Sequence, residues 1–546
     1  MKIWGSLPHQ YMNEAARRYG DVVGLLSGRI PLVLISGLEN IKDVSLRECF
    51  SGRPISLIQK EYDKGSYGMM NIQGEKWKEQ RKFTLRHLKE FGFGKSSLEG
   101  IAYEEIQAVF TEMERISGGY KYNWANPVPV HNLLGYAGIN VLWHIMAGQR
   151  YNLTDPTLKK LLNNIKRLTI ITEPGGGAAT AFPIITKMIP QLSTLREFLE
   201  LRETIFDFIK KEIRGHWDTL DSESPRDFID MYIREIDKQK GDDQTTFDDV
   251  VAVSIKTNAF SVTDKQLAAL CVDLFMAGAD TTFNSMTFSL LYMILYPEAQ
   301  KKVQEELDRV VGKDRMPSLE DRFSLPYIGA TLDEVMRKSS VAPLALPHAV
   351  LYSLKEAEFK GYIIPKFFSR VSTNSPVFSH VIAQEASNHY DKANYTNHTS
   401  KHPTSVIIFF ETAVLFPEEW TQRTQGSKVG GAMDEGRPGY RCLQCLQEKL
   451  RAQGKRQCIG EALARNNIFL FFSCLMQRYT MEIPPGHPKP TEEPLGGLTL
   501  VPKPFEIDLL CLALLQFTFA FSLWFSIVDL LSSSNAAEGS ASGSND

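Results

Sequence analysis

The sequence has no surplus of charge of either sign: 61 Lys and Arg stand against 64 Asp and Glu, a formal net charge of −3. A chain this close to neutrality carries no basic footprint, which excludes nucleic acid as the expected partner. It also lacks a disulfide framework. The seven cysteines (Cys49, Cys271, Cys442, Cys445, Cys458, Cys474 and Cys511) are odd in number and widely scattered, as in a reducing compartment. No signal peptide is expected, because Met1 to Gly20 is polar and charged. The first uncharged apolar run long enough to cross a bilayer comes only at Leu509 to Val528, 20 residues between Asp508 and Asp529. It predicts a C-terminal membrane segment over 508–531, ahead of a flexible Ser/Gly/Ala-rich tail at 532–546. A buried C-terminal helix is the other reading. Lys503 precedes the run and only acids follow it, so the positive-inside bias keeps the main domain cytosolic.

What is present is a globular composition, 43% hydrophobic over 546 residues, enough to bury a large core with a ligand inside it. Most segments read as helices. Pro297 to Val311 starts with Pro at its first turn and runs into Gly312, with Val303, Leu307 and Val310 on one stripe. Strand pairs are expected at Val22 to Ile35, broken at Ser27-Gly28, and at Glu358 to Pro365 around Lys360-Gly361. The class is mainly α with a small β-sheet region. Residues 367–450 differ: a polar Asn/Ser/His/Thr mixture, then a Gly-rich charged stretch, too long and patternless for an ordinary loop. They read as an atypical insert or a disordered region. Cys442-x-x-Cys445 inside it has zinc spacing but no second ligand pair nearby.

Four short segments could carry chemistry. In Ser261 to Met286, Thr263 to Gln266 reads as a capping box, and Leu267, Leu270, Cys271, Leu274 and Phe275 follow the 3.6-residue period of a long buried helix. Its centre, Ala277-Gly278-Ala279-Asp280-Thr281-Thr282, sets small residues and a carboxylate on an apolar helix. Such a centre suits either close approach of a ligand with proton transfer at Asp280 and Thr281, or a Gly–Ala helix crossing. Glu334 and Arg337 lie one turn apart, a pair usually worth a few tenths of a kcal/mol, roughly. Trp77 and Arg81 share a helix face and could together hold a carboxylate. Gly454-Lys455-Arg456-Gln457-Cys458-Ile459-Gly460 puts a thiol ahead of a helix N-terminus beside two cations, which favours a thiolate and a soft iron ligand; an inert buried cysteine is the alternative. Gly454 and Gly460 would let backbone and a flat cofactor come close.

In this order the segments resemble one family, the haem-thiolate monooxygenases or cytochromes P-450. The likeness is carried by Trp77-x-x-x-Arg81, Ala277-Gly278-Ala279-Asp280-Thr281, Glu334-x-x-Arg337 and Gly454-x-Arg456-x-Cys458-x-Gly460. With Arg86-His87-Leu88 and Phe91-Gly92-Phe93-Gly94, it looks like the arthropod microsomal type related to vertebrate family two, including the methyl farnesoate epoxidases. The resemblance implies a cytochrome P-450 fold around a buried haem b, with one domain made of 1–366 and 451–507. It makes Cys458 the axial ligand of the haem iron. It gives Thr281 and Asp280 to proton delivery, and sets Trp77, Arg81, His348 and Arg456 near the propionates. Glu334 and Arg337 become a structural pair. One oxygen atom from O2 would enter a lipophilic substrate, by hydroxylation or epoxidation. Electrons would come from an NADPH-dependent reductase, at the endoplasmic reticulum membrane with the catalytic domain cytosolic.

The pattern is broken in two places. The family's membrane anchor precedes its core, whereas here the apolar run follows it. After the hairpin the family has a strand and a Pro/Phe-rich meander whose Arg joins the Glu–Arg pair, and 367–450 match neither convincingly. A non-catalytic remnant, binding at most haem or an apolar ligand, is therefore the competing expectation.

Overall fold

The computed structural model describes residues 7–27, 30–55, 59, 63, 65–91, 97–118, 126–172, 194–239, 262–344, 346–351, 353–354, 356–365, 406–410 and 454–511. The first helices are α1 (Pro8–Tyr19), α2 (Leu38–Leu46), α3 (Gly74–Glu90), α4 (Ser97–Ser117), α5 (Val130–Ala147) and α6 (Pro156–Ile171). They are followed by α7 (Leu195–Thr219), α8 (Phe228–Lys238), α9 (Val262–Leu295), α10 (Pro297–Val310), α11 (Pro326–Ser339) and α12 (Glu461–Arg478). The centre of the molecule is α9, 34 residues long and apolar on all sides. It packs against α5, α6, α7, α11 and α12, so that Phe275, Ala279, Phe283 and Leu291 are fully buried. Gly278 marks the crossing with α5. A Cβ there would lie 2.8 Å from Leu142 Cδ2, so the Gly–Ala crossing is real at this position. The capping box is not formed. The helix already begins at Val262, and the Gln266 amide is committed instead to both backbone groups of Gly68, at 3.1 and 3.2 Å.

The two expected hairpins are present. Strand β1 (Val22–Ser27) pairs antiparallel with β2 (Ile30–Ser36), and β3 (Glu356–Phe359) with β4 (Tyr362–Pro365). The second turns through Lys360 and Gly361, both at positive φ, 53° and 81°. On β2, Val33 and Ile35 enter one apolar cluster while Leu32 and Leu34 enter another, the period-2 signature of a strand covered on both faces. A third strand, β5 (Val406–Phe410), pairs in parallel with β2, from Leu32 opposite Val406 to Ser36 opposite Phe410. Five residues of the atypical stretch at 367–450 thus join the first sheet. The remainder of that stretch, with Cys442 and Cys445, lies outside the described residues.

The C-terminal expectation also needs correction. The remaining strands are β6 (Tyr479–Glu482), β7 (Pro494–Leu495), β8 (Val501–Pro502) and β9 (Asp508–Cys511). Strand β9 pairs antiparallel with β6, Leu509 opposite Met481 and Leu510 opposite Thr480. The start of the uncharged run is therefore sheet, and the domain extends past residue 507 to at least Cys511. Leu509 is buried and Leu510 is 38% exposed, an alternation that composition alone conceals. Among the described residues no helix is long and apolar enough to cross a membrane, and 512–528 lie outside them.

The close crossing at Gly278 gives a direct test. Gly278→Val forces a branched side chain into Leu142 and should lower stability by ~1–3 kcal/mol in urea unfolding. An unchanged midpoint would contradict the crossing geometry.

Candidate functional site

Helix α9 is sealed except along a narrow strip. Ala277 is exposed and Thr281, one turn on, is half-exposed, while Phe275, Ala279, Asp280 and Phe283 around them are buried. The Thr281 hydroxyl donates to Ala277 O at 2.7 Å. Asp280 lies about 100° further round the helix axis. Its carboxylate accepts the Thr499 hydroxyl, and burial pushes its pKa up against that hydrogen bond and the charge of Lys166. Thr281 and Asp280 thus face different surroundings despite being neighbours.

Cys458 precedes α12, whose N-cap is Gly460. Its surface is exposed even though the following helix is mostly buried. The N–H groups of Gly460 and Glu461 and the Arg81 guanidinium all pull its pKa down, as expected at a helix N-terminus. Although the residue keeps accessible surface, desolvation by the protein around it outweighs them and raises the pKa above that of an ordinary thiol. The haem-free chain thus leans toward the thiol, against the expectation of a ready-made thiolate, and a bound metal cation would reverse the balance. Lys455 is not among the main influences on this thiol. It is exposed, and its charge bears on Glu48. Gly454, at φ +152°, has Ser45 where a Cβ would sit, 2.9 Å from the Ser45 Cβ. Its missing side chain makes room for Ser45, with Lys455 N donating to Ser45 O at 3.0 Å. Gly460 is not left-handed, at φ −90°, and serves through its amide.

Three guanidiniums converge beside this loop. Arg456 donates to Ser51 O at 2.9 Å, Met69 O at 3.3 Å and Ile72 O at 2.6 Å. Arg53 donates to Met70 O at 3.1 Å, Leu346 O at 3.0 Å and Pro347 O at 2.8 Å. Arg81, on α3, donates to Gln457 O at 2.6 Å, directly before Cys458. Trp77, one turn earlier on α3, has Arg456 over its ring at 4.1 Å and Arg81 at 5.6 Å. Burial and mutual repulsion push Arg456 down to about 8 and burial pushes Arg53 down to about 10. His348 is buried, held by its Nδ1 donating to Phe50 O at 2.8 Å, and burial beside Arg53 and Arg456 lowers its pKa so that it stays neutral. Among the described residues no carboxylate hydrogen-bonds to Arg53, Arg81 or Arg456.

The buried Asp273 carboxyl acts on Arg53 at a distance without a hydrogen bond to it, and leaves three neighbouring guanidiniums under-compensated, which is costly. An anion with two carboxylates resolves this arrangement, and a flat, iron-bearing one also accounts for an accessible cysteine sulfur and the open strip on α9. The donor set therefore fits haem: carboxylate recognition by guanidinium forks, and a soft sulfur ligand for iron. Arg53 is the residue that the motifs missed. The signal available was a lone Arg between Gly52 and Pro54, and its partners include carbonyls 293 and 294 positions away.

Glu334 and Arg337 are brought together as a bidentate pair, at 2.6 and 2.7 Å, half-buried on α11. Among the described residues no third side chain hydrogen-bonds to this carboxylate or guanidinium; Ser340 Oγ donates only to the Arg337 carbonyl, at 3.0 Å.

The chain matches the family model for cytochrome P450 over residues 2–368 and 452–509. It is 28% identical to a farnesoate epoxidase of Bombyx mori, over 91% of this chain and 87% of that protein. It is 32% identical to cytochrome P450 2U1 of Rattus norvegicus, over 91% of this chain and 82% of that protein. Against cytochrome P450 2B19 of Mus musculus the identity is 29%, over 86% and 82%. The chain belongs to the cytochrome P450 family. It is a haem-thiolate monooxygenase that uses haem iron and O2 to oxygenate a lipophilic substrate with electrons from a reductase, which disfavours the non-catalytic remnant.

The raised Cys458 pKa has a measurable consequence. Thiolates alkylate and thiols do not, so a pKa above the ordinary value leaves less reactive form at pH 8. In the haem-free chain, Cys458 should react with iodoacetamide several-fold more slowly at pH 8 than a cysteine peptide, read by mass spectrometry of its peptide. A faster reaction would restore the ready-made thiolate.

Proposed function

We propose that Cys458 is the axial ligand of the haem iron and that Arg81, Arg456 and Arg53 hold its propionates. Trp77 stacks against two of these guanidiniums, and neutral His348 packs beside Arg53 and Arg456. The observation that carries this reading is the cluster of buried and half-buried guanidiniums that, among the described residues, hydrogen-bond only to main-chain carbonyls, next to an accessible sulfur. When bound, the haem supplies O2 activation, with electron density pushed from the thiolate. The chain's residues supply the rest. The Gly460 and Glu461 amides steady the Cys458 sulfur, the strip at Ala277 and Thr281 offers little bulk and one hydroxyl, and the apolar walls of α9 exclude water. Thr281 on that strip and Asp280 on the adjoining buried face move protons. Glu334 and Arg337 hold α11 in shape.

Epoxidation of an apolar olefin is the first reaction to test, supported by the likeness to a farnesoate epoxidase. An NADPH-dependent reductase is the proposed electron donor. The endoplasmic reticulum membrane is the proposed location, with the catalytic domain cytosolic, supported by the microsomal character of the motifs and by the uncharged run continuing past Cys511.

The carbon-monoxide difference spectrum of the dithionite-reduced protein tests the site. A thiolate-type band that disappears in Cys458→Ser is expected. A wild-type spectrum without that band, or one unaltered by the substitution, removes Cys458 from the role. Arg53→Met should lower bound haem per chain several-fold while far-UV circular dichroism is unchanged; full occupancy would remove Arg53 from the propionate cluster.

A further inference from the structure

On the buried face of α9 that adjoins the accessible strip lies a second polar cluster, of which the reading above uses only Asp280. Lys166 comes to it from α6, His131 from the first turn of α5, Asp280, Phe283 and Asn284 from α9, and Thr499 from the segment before β8. The Lys166 ammonium donates to Asn132 Oδ1 at 2.8 Å and to His131 O at 3.5 Å, and stands 4.5 Å from the centre of the Phe283 ring. His131 meets the same ring edge-to-face, centroids 5.2 Å apart. Asn132 is exposed and Asp280 is 2% exposed, so Lys166 spans from the rim of the fold to a buried carboxyl whose charge it feels. Asp280 Oδ2 is taken by Thr499. Asp280 Oδ1, both amide atoms of Asn284 and His131 Nδ1 are buried without a hydrogen-bond partner among the described residues. Asn284 favours the charged carboxyl but makes no well-aligned bond to it. Orphaned atoms this concentrated are the donors and acceptors that an internal water needs.

We propose that Lys166 is the proton source for Asp280, linking it to solvent at Asn132 through a water held by Asp280 Oδ1, Asn284 and His131. In each transfer an N–H bond of the ammonium breaks and its proton passes along that water to Asp280 Oδ1. This leaves a neutral amine and a neutral carboxyl, and the amine takes a proton back from bulk water at the rim. Lys166 is thus a positioning residue acting through Asp280, and touches neither haem nor substrate. Two charge effects support the step. Burial lowers the Lys166 ammonium to about 7, with Asp280 opposing, while burial raises the Asp280 carboxyl, so the two groups approach each other in acidity. The other titratable group facing them, His131, is pushed down to about 3 by burial and by Lys166, and stays neutral.

The proposal rests on the proton role given to Asp280, and two readouts separate the failures. The first needs no turnover. A lysine lowered from 10.5 to about 7 binds fewer protons in the folded than in the unfolded chain between those values, so stability rises with pH across that window. Urea unfolding of the full chain should show this rise, and Lys166→Met should abolish it. Equal pH dependence in both proteins overturns the proposal. The second is peroxide released per NADPH consumed, with 7-ethoxycoumarin as probe and a microsomal reductase as donor. Wild type should leak more peroxide as pH passes upward through about 7, and Lys166→Met several-fold more at lower pH, without a break. Lys166→Arg keeps the charge but cannot release a proton, so it should leak like the Met variant. Wild-type coupling in Lys166→Arg would reduce Lys166 to a fixed charge and overturn the step. Wild-type coupling in Asp280→Asn would overturn the Asp280 reading itself, whatever the unfolding curves show.

Discussion

One buried guanidinium, Arg53, and two half-buried ones, Arg81 and Arg456, set the terms for the structure around the cysteine loop. Arg53, Arg81 and Arg456 are drawn out of water next to one another, and their hydrogen bonds go to main-chain carbonyls in four separate segments: 51, 69–72, 346–347 and 457. Carbonyl dipoles only partly replace water around a cation, so the cluster retains a strong demand for anionic charge. That demand is the driving force for taking up a dicarboxylate cofactor, and the same bonds tie together the loops that must close around it. Cys458 follows the same logic. Its thiol is held back from ionising by burial, while two amides and Arg81 stand ready to stabilise the thiolate once iron supplies the missing positive charge.

Helix α9 divides the molecule's chemistry by face. At Gly278 it meets Leu142 as closely as a helix without a side chain allows. Its small accessible strip at Ala277 and Thr281 is the surface offered to cofactor and substrate, and Asp280 turns to Thr499 and the charge of Lys166. One helical turn thus carries a packing contact, an open surface and a buried acid. Earlier along the same helix, Asp273 accepts from Met69 and Met70 at 2.6 and 2.8 Å, and Gln266 holds Gly68. These bonds fix the loop whose carbonyls receive Arg53 and Arg456, which couples the central helix to the guanidinium cluster.

Much of this was legible in the sequence where the governing chemistry is local. Lys360-Gly361 dictates a hairpin turn, and Glu334 with Arg337 can meet because they lie one helical turn apart. Trp77 and Arg81 share a face for the same reason. The rest depends on contacts that spacing does not reveal. Arg53 has no motif of its own, because carbonyls brought in by the distant 346–347 segment define its role. The Cys458 ionisation ran against expectation because burial, a property of the whole fold, outweighs the charges next to it in sequence. Leu509 to Cys511 read as part of a membrane span because a buried strand and a span share composition, and only pairing with Tyr479–Glu482 distinguishes them. Val406–Phe410 was hidden by the patternless chain around it, although its parallel partner, β2, was predicted.

The central claim is that the guanidinium cluster exists to take up a cofactor's carboxylates. Titrating the haem-free protein with haem and with its dimethyl ester, followed by the growth of the bound-haem absorption band, tests it most directly. Both compounds present the same iron and the same flat ring to Cys458, and differ only in the anions offered to Arg53, Arg81 and Arg456. The account predicts tight binding of haem and binding of the diester weaker by at least tenfold, about 1.4 kcal/mol. Equal affinities would contradict it.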